Sequence, residues 1–322
     1  MNRIRLLTLL FCLATSAVFA QPKLKPAGKL TAAATEKLHT MEDTLAILSY
    51  AVVNDSIEAE RFAACRSLIT GLVRALKTEN SFNYKFERLK SVSVLYPPDS
   101  SFRIFTWQLF VNDSTYKYYG AIQMNSRELV LHALLDRSHE METKPLAEQL
   151  PPDNWYGALY YNLRSFDTRS GPKYLLFGFD GFEFFEKRKV IDVLSFDPKT
   201  GKPMFGATVF DRDPEPGRMP TPPETRLILE YSAEASVRCN WDEQYQMVLF
   251  DHLIPSPSPF GRGMTNIPDG SVEGFTLENG RWKHISKVFN DVMSEPPRPE
   301  PVLGKPGKNI LGKDKKKSKT GW

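Results

Sequence analysis

The sequence predicts an α+β fold that is mainly β, with an N-terminal helical hairpin packed on a meandering antiparallel sheet system of about twelve strands. Three observations predict this class. Apolar residues recur at helical spacing between residues 30 and 80, short strand-like runs follow from residue 92 onward, and turn residues separate these runs. Helices do not alternate with the strand-like runs, as a parallel sheet would require, so the sheets are expected to be antiparallel.

The first residues of the 322-residue chain are typical of a secretory signal peptide. Residues 1–20 carry Arg3 and Arg5, then an apolar stretch, and end with Val18 and Ala20 as the small side chains that signal peptidase requires. We therefore expect a mature chain that begins at Gln21, a linker over residues 21–29, and export to the periplasm or the outside of the cell. No later segment has the roughly 20 apolar residues of a membrane-spanning helix, so no transmembrane segment is predicted.

The helical hairpin is predicted over residues 30–80. Two stripes recur at steps of three and four residues, Leu38, Met41, Leu45, Leu48 and Val52 on the first helix and Phe62, Cys65, Ile69, Leu72 and Leu76 on the second. Asp55 and Glu58 predict a capping pair at the start of the second helix. Because two short amphipathic helices cannot bury their apolar faces alone, we expect the hairpin to pack on the sheet that follows.

The antiparallel β domain is predicted over residues 81–293. Its strand-like runs are 102–111, 116–124, 127–135, 156–164, 173–179, 189–196, 204–210, 226–232, 236–240, 245–253, 271–277 and 281–289. Asp180-Gly181 and Asn279-Gly280 are among the turn signals between them. Residues 212–223 and 255–263 are predicted loops, and residues 294–322 are a predicted disordered tail rich in proline and lysine.

The distribution of charge excludes a nucleic-acid-binding body. The formal net charge is +4, but the first 20 and last 18 residues hold nine of the 42 basic residues and one of the 38 acidic residues, leaving 33 against 37. Binding to nucleic acid depends on clustered cations that neutralise phosphates, and such an excess is missing from the body.

Two cysteines, Cys65 and Cys239, remain after signal cleavage. A disulfide between them is one prediction, since disulfides persist in exported proteins. We favour the alternative of two buried free thiols, because Cys65 falls on an apolar helix face. The sequence His139-Glu140-Met141-Glu142 lacks the second histidine that a zinc-protease helix places four residues after the first. No metal, cofactor or catalytic motif is predicted.

The candidate binding site is a polar group near the end of the β region. Asp251 and His252 end one predicted strand, and Asp269 and Glu273 follow the next loop. A carboxylate beside an imidazole could transfer protons, and carboxylates with loop carbonyls could bind Ca²⁺. Aspartate also forms ordinary turns, and this structural interpretation is favoured.

Aromatic side chains give a second, weaker indication of binding. They lie in or beside the predicted strands, at Trp107, Trp155, Tyr156, Tyr160, Tyr161, Trp241 and Trp282. Exposed rings on a sheet would form platforms for sugars or peptides. Because alternation turns about half of them inward, core packing is the favoured interpretation.

Three segments carry a resemblance to known proteins: VLFDHLIP at 248–255, PDGSVEGF at 268–275 and NGRW at 279–282. Their pattern is similar to that of a group of uncharacterised exported bacterial β-rich proteins. The resemblance spans roughly residues 190–290 and implies an envelope or secreted protein, without implying an activity or a ligand. The leading expectation is therefore an exported, non-catalytic protein that binds a cell-envelope partner or polymer. The alternative is a hydrolase-like enzyme that uses Asp251, His252 and Asp269.

Overall fold

The computed structural model of the chain describes residues 24–112, 115–212 and 223–289. The predicted signal peptide, the start of the linker, most of the 212–223 loop and the predicted tail lie outside the described residues. Within them the chain forms two α-helices and fourteen β-strands, which confirms the mainly β, α+β fold class. The helices are α1 (Ala32–Asn54) and α2 (Glu58–Leu76). Neither helix is long and apolar enough to span a membrane.

The strands fall into three sheets. In chain order they are β1 (Ser93–Leu95), β2 (Phe102–Asn112), β3 (Thr115–Met124), β4 (Leu131–Leu135), β5 (Leu159–Thr168), β6 (Gly171–Asp180), β7 (Glu186–Phe196), β8 (Pro203–Phe205), β9 (Phe210–Asp211), β10 (Leu227–Ser232), β11 (Cys239–Asp242), β12 (Met247–Pro257), β13 (Met264–Glu278) and β14 (Arg281–Ile285). The first sheet has the order β1-β2-β3-β4, the second β10-β7-β6-β5 with β8 on β7, and the third β11-β12-β13-β14-β9. All pairings between these strands are antiparallel except that of β14 with β9.

The helices and sheets form four layers. One apolar cluster joins the helices to one face of the first sheet, through Phe105, Trp107 and Leu109. A second cluster joins the first sheet to the second, and a third joins the second sheet to the third. The second sheet is therefore buried on both faces, which explains the unbroken apolar run of β6: Tyr174 and Leu176 face the first sheet, while Leu175 and Phe177 face the third.

Buried polar contacts fix the helices on the first sheet, and the predicted docking of the hairpin is confirmed. The Arg61 side chain is 5% exposed and donates to the carbonyls of Phe110 at 2.6 Å and Val111 at 2.8 Å. The predicted Asp55–Glu58 capping pair is wrong. Asp55 instead accepts a 2.8 Å hydrogen bond from the Ile57 backbone, and no side chain caps α2.

Several predicted strand boundaries are also wrong, and two of them affect the course of the chain. The run 204–210 is divided between β8 and β9, because Gly206 at φ 93° turns the chain from the second sheet towards the third. The predicted loop 255–263 is shorter than expected, since β12 continues to Pro257 and β13 begins at Met264. Proline and glycine in this region mark irregular strands, and only residues 258–263 connect them.

Candidate functional site

The long β12–β13 hairpin carries the residues that the sequence predicted as a site. Asp251 pairs with Val272, the next pair is Leu253 with Pro268, and the register shifts between them. His252 lies at this bulge, and Gly270 opposite it has φ 89°. Bulges re-aim side chains, and this one places His252 beside Glu273.

Glu273 is the centre of the polar group. Its side chain is 7% exposed, and its two oxygens contact different histidines. Oε1 is hydrogen-bonded to His252 Nδ1, and Oε2 lies 2.5 Å from His284 Nε2. Arg212 Nη2 donates to Oε2 at 3.3 Å, while Arg212 Nη1 lies 3.8 Å from Glu224. A buried carboxylate is thus surrounded by two imidazoles and a guanidinium.

The electrostatics of this group favour an ionised Glu273. Burial opposes ionisation, but the hydrogen bonds with His284 and His252 and the charge of Arg212 outweigh it and lower the Glu273 pKa from 4.5 to about 2. His284 is further held by rings, since Phe250 and Phe275 lie 6.1 and 5.4 Å from its centroid. Glu273 therefore carries a fixed negative charge at neutral pH, at the edge of the apolar cluster between the second and third sheets.

Asp251 and Asp269 do not join this group by hydrogen bonds. Asp251 Oδ2 accepts from the Arg238 backbone at 2.7 Å, and Asp269 Oδ1 accepts from the Ser271 backbone at 2.9 Å and from its hydroxyl at 2.6 Å. The bonds from Ser271 are the main cause of a lowered Asp269 pKa. The structure therefore brings together His252 and Glu273 of the four predicted residues and gives the two aspartates local backbone roles.

Sequence reasoning missed His284 and Arg212. The alternation of side chains along the strands could have indicated His284. It places His284 on the same face of β14 as the buried Trp282. Its pairing partner Phe275 lies on the same face of β13 as Glu273. No sequence pattern indicated Arg212, because it lies 61 residues from Glu273 in the sequence.

The chemistry available to this group is proton exchange at His252. Its side chain is 41% exposed, and Nδ1 is held by Glu273. Such a pair can orient an imidazole as a general base. Among the described residues, however, Glu273 is the only hydrogen-bond partner found for the His252 ring. Residues 24–112, 115–212 and 223–289 contain no group of three or more His, Cys, Asp or Glu side chains arranged to hold a metal ion.

Most of the seven aromatic residues considered as a binding platform lie in the core, as the favoured interpretation predicted. Trp107, Trp155, Tyr156, Tyr160 and Trp282 are each at most 4% exposed. Tyr161, at 36% exposed, and the half-buried Trp241 lie nearer the surface, where Lys189 and Arg164 respectively stack over their rings. The favoured interpretation of core packing therefore applies to five of the seven residues.

A different aromatic surface lies at the end of the β12–β13 hairpin, where residues 258–263 connect the two strands. We call it the aromatic tip, formed by Phe184, Phe185, Phe260, Arg262 and Met264. Phe184 is 50% exposed, Phe260 37% and Met264 62%. The Phe185 ring lies 4.8 Å from Phe184 and 4.4 Å from Phe260, and the Arg262 guanidinium stacks 4.9 Å above it. Two connections, 181–185 and 258–263, thus meet through apolar side chains that remain open to solvent.

Buried polar side chains hold the turn that carries Phe184 and Phe185. Asp180, 5% exposed, accepts from the Phe182 backbone at 2.9 Å and from the Tyr156 hydroxyl at 2.9 Å. The Tyr118 hydroxyl accepts from the Gly181 backbone at 2.6 Å. The turn is therefore anchored on both the first and the second sheet, and the exposed rings are held in place.

Arg188 also stabilises the turn that carries Phe184 and Phe185. Its guanidinium lies 3.3 Å from the centroid of the Phe182 ring and donates to Tyr156 at 3.0 Å and to Glu230 at 2.7 Å. Sequence reasoning overlooked the aromatic tip because it concentrated on tryptophan and tyrosine. The available signal was three phenylalanines, Phe182, Phe184 and Phe185, directly after the Asp180-Gly181 turn.

Cys65 and Cys239 are both free, buried thiols, so the alternative of a disulfide between them does not describe this structure. The physical reason is their placement in different layers: Cys65 belongs to the cluster under the helices and Cys239 to the cluster between the second and third sheets. Burial raises the pKa of the Cys65 thiol, and it raises that of Cys239 to about 12. Neither thiol is prepared for reaction.

Comparisons with protein-family models, curated proteins and solved structures give no match to this chain. The function of the protein is therefore inferred from the geometry of Glu273 with its polar neighbours and from the aromatic tip.

Proposed function

We propose that this protein is an exported, non-catalytic protein that binds a protein partner of the cell envelope through the aromatic tip. The observation that carries the proposal is the exposure of Phe184 and Phe260 on either side of the Phe185 ring, with the exposed Met264 directly after the 258–263 connection. Water disfavours contiguous apolar surface, and such patches on folded proteins mark interaction sites.

The composition of the aromatic tip supports a protein as the occupant. Aromatic residues, methionine and arginine are enriched in the centres of protein interfaces. Arg262 stacks on Phe185, so its charge is available at the margin of the apolar surface. The support from Asp180 and Arg188 reduces the entropy that binding would otherwise cost, since the rings are already ordered.

Export is the second part of the proposal, and it rests on residues 1–20. Mass spectrometry of the protein from envelope or culture fractions should show an N-terminus at Gln21. A chain that still begins at Met1 in those fractions would contradict cleavage at this position.

Site-specific photo-crosslinking tests the binding surface. A photoreactive phenylalanine analogue at position 184 or 260 should give the same covalent protein adduct in envelope fractions of producing cells. Leu135, which is 48% exposed on the first sheet, is the matched control and should not give that adduct. No adduct at 184 and 260, an equal adduct at 135, or a carbohydrate adduct alone would each contradict a protein partner at the aromatic tip.

A hydrolase-like enzyme is the second candidate, favoured by the hydrogen bond between His252 and Glu273. In this function His252 acts as a general base that activates a water molecule, and Glu273 orients the His252 ring. Hydrolysis of a panel of p-nitrophenyl esters and glycosides tests it. Turnover that disappears in His252→Gln while the fold is retained would support the enzyme, and equal rates for both proteins and buffer would refute it.

A further inference from the structure

A second surface feature lies at the opposite end of the strands from the aromatic tip. The β5–β6 turn, residues 207–209 and the β13–β14 turn surround a cleft of about 480 Å³. β6 runs from this cleft towards the 181–185 turn, and β13 runs from the 258–263 turn back to the cleft. The cleft and the aromatic tip are therefore separated by about 33 Å, the length of a ten-residue strand.

The lining of this cleft is cationic. Arg169, Lys173 and Arg281 contribute to it, and its lining residues include no aspartate or glutamate. Arg281 is already paired with Asp211, with Nε 2.7 Å from Oδ2. No ion pair is found for Arg169 or Lys173 within the described part of the chain. Lys173 is half-buried, and its desolvation lowers the pKa of the amine. A negatively charged ligand would satisfy both free cations.

The neutral polar side chains of the cleft are suited to hydrogen bonding with the hydroxyl groups of a ligand. Gln149 and Asn279 contribute side-chain amides, and Thr208 contributes a hydroxyl. Among the described residues we find no hydrogen-bond partner for these three side chains. Amides both donate and accept, as the hydroxyls of a sugar do. A cleft of this size also falls within the range that holds one or two sugar units.

The walls of the cleft are fixed by packing. Arg281 Nη1 donates to the Thr208 carbonyl at 3.0 Å, which joins the β13–β14 turn to residues 207–209. A Cβ at Gly280, where φ is 79°, would lie 3.0 Å from the Asp167 carbonyl, so the two turns are in close contact. The free polar groups therefore project from a preformed frame.

We propose that this cleft binds an anionic saccharide, a sugar unit that carries a carboxylate, sulfate or phosphate group. The anion contacts Arg169 and Lys173, and the ring hydroxyls contact Gln149, Thr208 and Asn279. This site is independent of the proposed protein partner, since it lies at the other end of β6 and β13. Together the two sites would connect an envelope protein to an acidic polymer.

Heteronuclear NMR titration with three soluble probes tests the site. Trigalacturonate carries carboxylates, a chondroitin sulfate disaccharide carries a sulfate as well, and maltotriose is the neutral control. We expect at least one acidic probe to shift the amide signals of Ser170, Asn279 and Gly280, and maltotriose to leave them in place. Comparison of the two acidic probes shows which anion the cleft prefers.

Matched charge variants complete the experiment. Lys173→Gln should weaken binding of the acidic probe about fivefold, the effect of losing one partly exposed ion pair. Lys90→Gln removes the same charge from an exposed position outside the cleft and should leave binding unchanged. Absence of shifts, equal shifts with maltotriose, or equal weakening by both variants would overturn the proposal. Spectra of the free variants that match the parent protein show that the fold is retained.

Discussion

At the scale of single residues, Glu273 shows how a buried charge is stabilised in this protein. Its carboxylate is nearly inaccessible, yet its pKa is lowered because His252, His284 and Arg212 surround it. The sequence predicted two of the four members, His252 and Glu273, because they are close to turn signals along one hairpin. Arg212 and His284 come from other elements, and only the register of the third sheet brings them to the carboxylate.

Replacement of Glu273 by glutamine should destabilise the protein in a pH-dependent way. The folded-state pKa of about 2 lies below the ordinary value of 4.5, so the ionised carboxylate stabilises the fold above pH 4.5. That contribution, roughly 2–3 kcal/mol, is lost as the pH falls through the folded-state pKa. Urea unfolding of parent and Glu273→Gln should therefore differ most near pH 7 and converge towards pH 2.

Glu278→Gln is the control for this experiment. Glu278 is 52% exposed and pairs with Lys283 at the surface, at 3.1 Å, so its replacement should have little effect at any pH. A difference between parent and Glu273→Gln that is unchanged from pH 7 to pH 3 would show that Glu273 contributes through packing rather than charge.

Gly206 is required by both its backbone conformation and its surroundings. Its φ is 93°, and a Cβ there would lie 2.7 Å from the Glu148 carbonyl and 2.9 Å from Arg226 Nη2. Arg226 is fully buried and 3.3 Å from Asp192, so it has little room to move. We expect Gly206→Ala to lower the free energy of unfolding by about 3 kcal/mol or more.

Gly171→Ala separates the effect of backbone strain from the effect of a steric clash. Gly171 has φ 105° but nothing lies within 4 Å of its hypothetical Cβ, so alanine there brings backbone strain without a clash. Chemical denaturation should show a loss of about 1–2 kcal/mol at Gly171 and a larger loss at Gly206. Equal losses would mean that the contacts with Glu148 and Arg226 relax freely.

At the scale of elements, local signals predicted which segments form helices and strands, while long-range contacts decided where some of them end. The helical stripes and the hairpin turns are properties of neighbouring residues, and they predicted α1, α2 and most strands. The boundary at Gly206 depends on which sheet the chain joins, and the boundary at Pro257 depends on how far β12 remains paired with β13. Proline and glycine at 255–263 indicated a loop, whereas residues 255–257 remain paired with residues 264–266 and extend the β12–β13 ladder.

Deletion of residues 30–78 should yield aggregated or unfolded protein. The helices cover Phe105, Trp107 and Leu109, which are at most 4% exposed, and removal would leave this face of the first sheet in water. Size-exclusion chromatography and thermal melting check the outcome. A soluble truncation that melts cooperatively would show that the three sheets fold without the helices.

At the scale of the whole molecule, the order of the four layers could not be predicted from the sequence. A sheet buried on one face shows alternating polarity that identifies its inner side, but the second sheet is buried on both. The run at 174–179 therefore indicates a strand without indicating its neighbours. The aromatic tip and the cationic cleft could not be predicted for the same reason, because they are assembled from turns of the second and third sheets.

The course of β6 and β13 between the two proposed sites has a mechanical consequence. If an envelope protein is held at one end and a polymer at the other, tension runs along these strands and perpendicular to their ladder hydrogen bonds. Each of these strands joins the two sites through its own extended backbone, so the covalent chain bears the load and no ladder has to break. Force spectroscopy with attachment points at residues 169 and 184 should therefore lengthen the molecule little, whereas attachment at 169 and 200 should unzip β6 from β7 and lengthen it further. Equal lengthening from the two pairs of points would mean that β6 does not carry the tension between the sites.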